Sequence, residues 1–281
     1  MKHLSSLKRT LTVFALALGL GLLLAQPALA QSEEAEEAMA RDLLDTIHQF
    51  RLTNFIALNT YYNYTVDPDE SLVRQINQSI GSSREMLGEI GNLAGESLSG
   101  SELEDLQVAF QDFENQMDIN VEDVRQAGYP DLRLLSDMAN QAHVLSVQSE
   151  RIYDQVAGQD ETPTASDVEL AREASILMAL MVTRYSARSS STVAQIFQGA
   201  DTDESLDELA MRFDDIISEL RSRNTSEEID DLMSEVSVKW DFIKSSYIQY
   251  DERNVSFVIN RYSTSILENL ERAVDRLKTA A

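Results

Sequence analysis

The apolar residues of this chain recur at alternating spacings of three and four, the mark of helices that pack a seam against neighbours. Leu103, Leu106, Phe110, Phe113, Met117 and Val124 form one such series, and Leu206, Leu209, Phe213, Ile216 and Leu220 another. No stretch shows the strict alternation of a half-buried strand. Pro68, Pro130 and Pro163 fall between the periodic stretches, where helices must stop. The pattern predicts helices over 36–65, 69–93, 101–127 and 131–157, then 166–198, 203–223, 226–250 and 254–279. Start signals accompany three of them: Ser101 with Glu104 three residues on, Asp203 before an acidic turn, and Ser226. The stretch Asp251-Glu252-Arg253-Asn254 holds neither glycine nor proline, so the last two helices could also run on as one bent helix.

The two halves repeat one another. Asp69-Glu70-Ser71-Leu72 recurs as Asp203-Glu204-Ser205-Leu206, with a long amphipathic segment before each copy and further ones after it. A repeat of this length is a bundle-sized unit rather than a solenoid turn. The polar connector from Gly158 to Thr164 separates the units. The expected fold is therefore all-α: two tandem antiparallel four-helix bundles from an internal duplication, the first over 31–158 and the second over 165–281.

The first thirty residues read as an export signal. Lys2, Lys8 and Arg9 form a basic start, Leu11 to Ala25 is apolar, and Ala28-Leu29-Ala30 supplies small residues for cleavage. The apolar run is shorter than the roughly 20 residues a bilayer span needs. The expectation is a periplasmic or secreted protein beginning at Gln31, with no integral membrane segment after processing. Loss of Lys2, Lys8 and Arg9 leaves 20 basic residues against 48 acidic, a net charge of −28. Such charge repels phosphate backbones, so nucleic acid is not an expected partner. With no cysteine, the chain has neither disulfides nor thiolate metal sites.

Motifs for catalysis are scarce: no nucleophile elbow, no phosphate-cradling glycine loop and no paired-histidine zinc motif occur. An enzyme is not expected, and neither is a cofactor. Asp45 precedes His48 at the spacing of half a di-iron motif, but Asn140 stands in that place before His143. Asp201 to Ser205 begins like a calcium loop, yet Leu206 replaces the required glycine, and the segment reads as a helix cap. The more informative signal is polar residues on the seam. The heptad series Leu44, Ile47, Arg51, Asn54, Leu58, Tyr61 turns Arg51 and Asn54 inward. Aligning the repeats on the shared tetrapeptide sets Arg184, Tyr185 and Arg188 opposite Phe50, Arg51 and Asn54. An arginine so placed can clamp a carboxylate or similar oxyanion, or it can pair with an acid on a neighbouring helix. Arg51, Asn54, Arg184, Tyr185 and Arg188 are the candidate ligand-binding residues. The aromatic groups Tyr61, Tyr62, Tyr64 and Trp240, Tyr247, Tyr250 fit the packing of a bundle end or the lining of an apolar pocket.

Residues 171–277 resemble the helical sensor domains at the amino-terminal end of type IV pilus methyl-accepting chemotaxis transducers and nitrate-sensor kinases. The resembling segments are Ala171-Arg172-Glu173-Ala174, Ile196 to Asp201, Leu206-Asp207-Glu208-Leu209, Val236 to Trp240, and Ser265 to Leu270. Residues 40–157 look like a more diverged copy. The resemblance implies a free-standing periplasmic sensor-like module that binds a small oxyanion or carboxylate and reports to a membrane receptor or a pilus-linked chemotaxis system. A homodimer is compatible with that role. The alternative is a non-enzymatic structural or adaptor protein whose helices are a docking surface without a small ligand.

Overall fold

The computed structural model describes residues 26–159, 166–190, 204–223, 226–249 and 255–280, and among these every regular element is a helix. In chain order they are α1 (Gln26–Val66), α2 (Glu70–Leu93), α3 (Gly100–Ala127), α4 (Leu132–Gln159), α5 (Ser166–Ser190), α6 (Leu206–Ser222), α7 (Glu227–Ile248) and α8 (Ser256–Ala280). The protein is all-α, as the periodicity predicts. Helices α7 and α8 are separate and pack against each other, so the bent single helix does not form. The predicted extension of α5 to 198 and the α6 start at 203 lie outside the described residues, as does the export signal up to residue 25.

Local chemistry explains the ends. The α3 start shifts from the expected Ser101 to Ser99, whose hydroxyl accepts from the Glu102 amide while the Glu102 carboxylate accepts from the Ser99 amide at 2.8 Å. Two Ser-x-x-Glu spacings overlap there, and the helix uses the earlier one. Ser205 is the cap residue of α6, in place of the expected Asp203, and its amide and hydroxyl both donate to the Glu208 carboxylate. Asp69 caps α2 through the Ser71 amide. Gly128 ends α3 at φ 80°, a left-handed conformation that a Cβ would strain.

The repeated tetrapeptides therefore do not sit at equivalent places. Leu72 is the third residue of α2, whereas Leu206 is the first of α6. What does repeat is the order of neighbours. Helix α1 packs on α2 and α4, α2 touches α3, and α3 packs on α4; α5 packs on α6 and α8, with α7 between those two. Each set encloses its own apolar core. Phe50, Tyr61, Tyr62, Phe110 and Phe113 lie in the first, and Phe213, Trp240, Tyr247 and Ile266 in the second. Burying such side chains contributes about 1.5–3 kcal/mol each.

The sets meet along α1 and α5, which run parallel side by side: Asp45 pairs with Arg172, and further along Thr183 Oγ1 donates to the Phe55 carbonyl. Around this contact the seam is polar. Lys278 of α8 donates to both Asp45 oxygens at 2.9 Å. His48 Nε2 lies 3.1 Å from Glu271, which also accepts from Gln49. Asn260 bridges Asn59, Asn63 and Ser186. Asp45 and His48, the half di-iron motif, are thus engaged in ties between the sets. Burial raises the Glu271 carboxyl, but the hydrogen bond and charge of His48, with the bond from Gln49, outweigh it and bring the group below its ordinary range. Sliding one set past the other by a helical turn would leave these buried groups unpaired, so they pin the register.

Candidate functional site

The heptad pattern turns Arg51 and Asn54 of α1 toward α4, and the helix geometry there makes an internal pocket. Arg51 is nine-tenths buried, with its side chain 10% exposed. Its Nη2 donates to Glu150 at 3.2 Å, and its guanidinium carbon lies 5.6 Å from the centre of the Tyr153 ring, a cation–π distance. The Arg51 Nε–H has no acceptor among the described residues. One turn on, the buried Asn54 amide leaves both Nδ2 and Oδ1 without a partner among the described residues. These groups line a pocket of about 20 Å³ whose apolar walls include Leu58, Phe113 and Leu145, with Ser146 and Ser149 opposite. That volume exceeds the ~10–15 Å³ needed to hold one water-sized guest. Unsatisfied buried polar atoms cost about 1–3 kcal/mol each, so Asn54 is an expense to the fold unless something binds it.

Arg51, Phe55 and Ser146 also line a second and larger space, a cleft of about 410 Å³ between α1, α4, α5 and α6. Here Arg172 is buried, with its side chain 4% exposed. It donates to Asp45 at 3.2 Å, Glu169 at 2.9 Å and the Tyr153 oxygen at 3.2 Å, while Tyr153 donates to Glu169 at 2.6 Å. Burial raises the Tyr153 phenol well above its ordinary range, so it remains a neutral donor. Asp154 on the rim is pushed upward by burial and by Glu150, against the pull of Arg51.

The five candidate residues separate into two neighbourhoods. Arg51 and Asn54 share the pocket. Arg184 instead faces the start of α6, where its Nη1 donates to the Glu204 carbonyl at 2.8 Å, and burial draws its pKa below the ordinary arginine value. Tyr185 packs edge-on against Tyr247 at 5.5 Å, and its oxygen accepts from the Val255 amide. Arg188 is half-buried near the end of α5. Arg51 faces α4, whereas Tyr185, which the alignment sets opposite it, packs on Tyr247 of α7, so the alignment on the tetrapeptide does not pair equivalent positions. Tyr61, Tyr62 and Tyr64 are buried core, with the Tyr61 hydroxyl donating to Asn120. Tyr250 lies outside the described residues.

Tyr153 and Asp154 join the site without having stood out in the sequence, and Arg172 without having been read as a binding residue. They flank the connector between the two helix sets, where no seam position marked them, and only the contact of α4 with α5 brings them together. Among the described residues no helix is long and apolar enough to cross a membrane, and no cluster of His, Asp and Glu could hold a metal ion. No family model, curated protein or solved structure matches this chain. Fold and site together define a class, an all-helical protein with a charged cleft between two helix sets that opens on a small polar pocket.

Proposed function

We propose that this protein is a periplasmic sensor-like module, exported by a signal cleaved after Ala30, that binds a small carboxylate or oxyanion where the pocket meets the cleft. In this reading its architecture is two tandem antiparallel four-helix bundles that arose by duplication, which the shared order of helix neighbours supports. The observation that carries the binding role is Asn54, a buried amide with two unpartnered atoms beside the unpartnered Arg51 Nε–H. Arg51 supplies the charge, and the Asn54 Nδ2 group supplies a second donor. A ligand wedged between α1 and α4 and reaching the α5 side would shift the contact of the two sets. That shift is a route to report occupancy to a membrane receptor or pilus-linked system.

A second reading, a helical adaptor without a small ligand, is favoured by one fact: Arg51 already has Glu150 as a partner. Calorimetry with acetate, nitrate and chloride separates the two. The sensor reading expects saturable binding of at least one anion, weakened by about 2–5 kcal/mol in Arg51→Ala, as truncation of one member of a buried charge pair does. A flat response to all three, unchanged in Asn54→Leu, would leave the pocket to a bound water and favour the adaptor.

A further inference from the structure

Along α5, the wall of the 410 Å³ cleft changes from charged to apolar. On α5, Glu169, Arg172 and Glu173 line the charged end, and Ile176 and Leu180 the apolar end. At 1.5 Å per residue, Glu173 and Leu180 stand roughly 10 Å apart along the axis, about the reach of a small amphipathic molecule. Phe55 of α1 adds to the apolar wall.

The charges do not cancel evenly. Glu150 is paired with Arg51, Glu169 with Arg172, and Glu173 with Arg212 at 3.7 Å. Asp154 lines the same cleft one turn from Glu150 and has no ion pair or hydrogen bond among the described residues. Across from it, Arg51 makes a single hydrogen bond from a guanidinium with five N–H donors. A free anion and an under-used cation thus face one space, and Arg172, deeply buried, keeps its Nε–H without an acceptor beside them.

We propose that the cleft binds a small zwitterion with an apolar tail, in chemical class an α-amino acid with an aliphatic or aromatic side chain. The carboxylate lies on Arg51, the ammonium on Asp154, and the side chain along Phe55, Ile176 and Leu180. This rests on the reading of Arg51 as the anion anchor. A simple anion at Arg51 would leave Asp154 unmatched and repelling, whereas a zwitterion satisfies both. The upward push on the Asp154 carboxyl fits, since an arriving ammonium would reverse it.

The test is calorimetry on the full chain with L-leucine and L-phenylalanine, alongside 4-methylpentanoate, which lacks the ammonium, and 3-methylbutylamine, which lacks the carboxylate. Either amino acid should bind at least about tenfold more tightly than both analogues. Asp154→Asn, at an exposed rim position, should remove that advantage by weakening the amino acids, while 4-methylpentanoate, relieved of the repulsion, binds at least as tightly as before. Equal binding of 4-methylpentanoate and leucine, or indifference of leucine to Asp154→Asn, would overturn the zwitterion site and leave the anion reading standing. If neither amino acid binds while acetate or nitrate still does, the zwitterion site likewise falls alone. No response to any of these compounds would overturn both.

Discussion

The two helix sets treat the polar handles of their aromatic cores differently, although α5 also carries the open Arg172 Nε–H. In α5–α8 three polar handles of the aromatic core are answered among the described residues. Trp240 Nε1 donates to Asp214 at 2.9 Å, the Tyr247 and Ser263 hydroxyls bond at 2.7 Å, and Tyr185 accepts from Val255. Burial raises the Asp214 carboxyl, yet the bonds from Lys244 and Trp240 outweigh it and hold the group low. The rings interlock, with Phe213 at 4.7 Å and Tyr247 at 5.7 Å from Trp240. In α1–α4 the matching interior is only partly answered: Tyr61 reaches Asn120, but Asn54 and the Arg51 Nε–H stay open on a pocket. A closed polar network stabilises a core, and an open one marks a place where binding can supply what folding left out.

The contrast breaks most visibly under truncation. Trp240→Ala should cost about 3–5 kcal/mol, because it removes the central ring of the closed core and leaves a cavity. Urea denaturation would show the loss, and a cost below about 1 kcal/mol would mean the aromatic cluster is not the stabilising element of its set.

Next in size is the tie between the sets. Glu271→Gln should cost about 1–3 kcal/mol at neutral pH, as loss of a charged hydrogen bond does, and should flatten the acid limb. The sign follows from the depressed folded pKa. Stability from Glu271 is fully present above the ordinary carboxylate value of 4.5 and is lost as pH falls through the lower folded value. Thermal melts from pH 7 down to 3 should therefore converge for wild type and variant at the acid end.

A smaller pair of changes should differ in sign. Asn54→Leu should stabilise the ligand-free protein by about 1–2 kcal/mol by removing two unsatisfied atoms, while abolishing anion binding. Tyr247→Phe, which breaks an answered hydroxyl, should destabilise by about 0.5–1.5 kcal/mol. Equal signs in chemical denaturation would erase the distinction between the sets.

The smallest effect sharpens the assignment of the site. Arg188→Ala on α5 should leave affinity at the Arg51 pocket within about threefold, or under 1 kcal/mol. A tenfold loss in calorimetry would move the site to the α5–α6 side.

The inward turn of Arg51 and Asn54 was legible because a heptad places two polar residues among Leu44, Ile47, Leu58 and Tyr61. Arg184 and Arg188 carry the same kind of signal, yet Arg184 ends on a backbone carbonyl at the α6 start. Residue type and period do not say which neighbour a side chain meets. Tyr153, Asp154 and Arg172 had no periodic mark at all, because they act across the contact of two consecutive helices, α4 and α5, whose packing the connector between them does not specify.

What the sequence by itself determined is the all-helical class and the approximate helix limits, since period, proline, glycine and capping chemistry act within a few residues of chain. The cap shift from Ser101 to Ser99 shows the grain of that reading: overlapping local signals leave a choice of two residues. Only the tertiary structure decided that α1 and α5 run side by side and that Asp45, His48 and Asn59 tie to α8. The same contact set Arg51 and Asp154 facing one cleft. Apolar seams are degenerate and permit many partners and registers, whereas a buried charge or amide accepts only an arrangement that answers it, and that answer lies more than a hundred residues away in the chain.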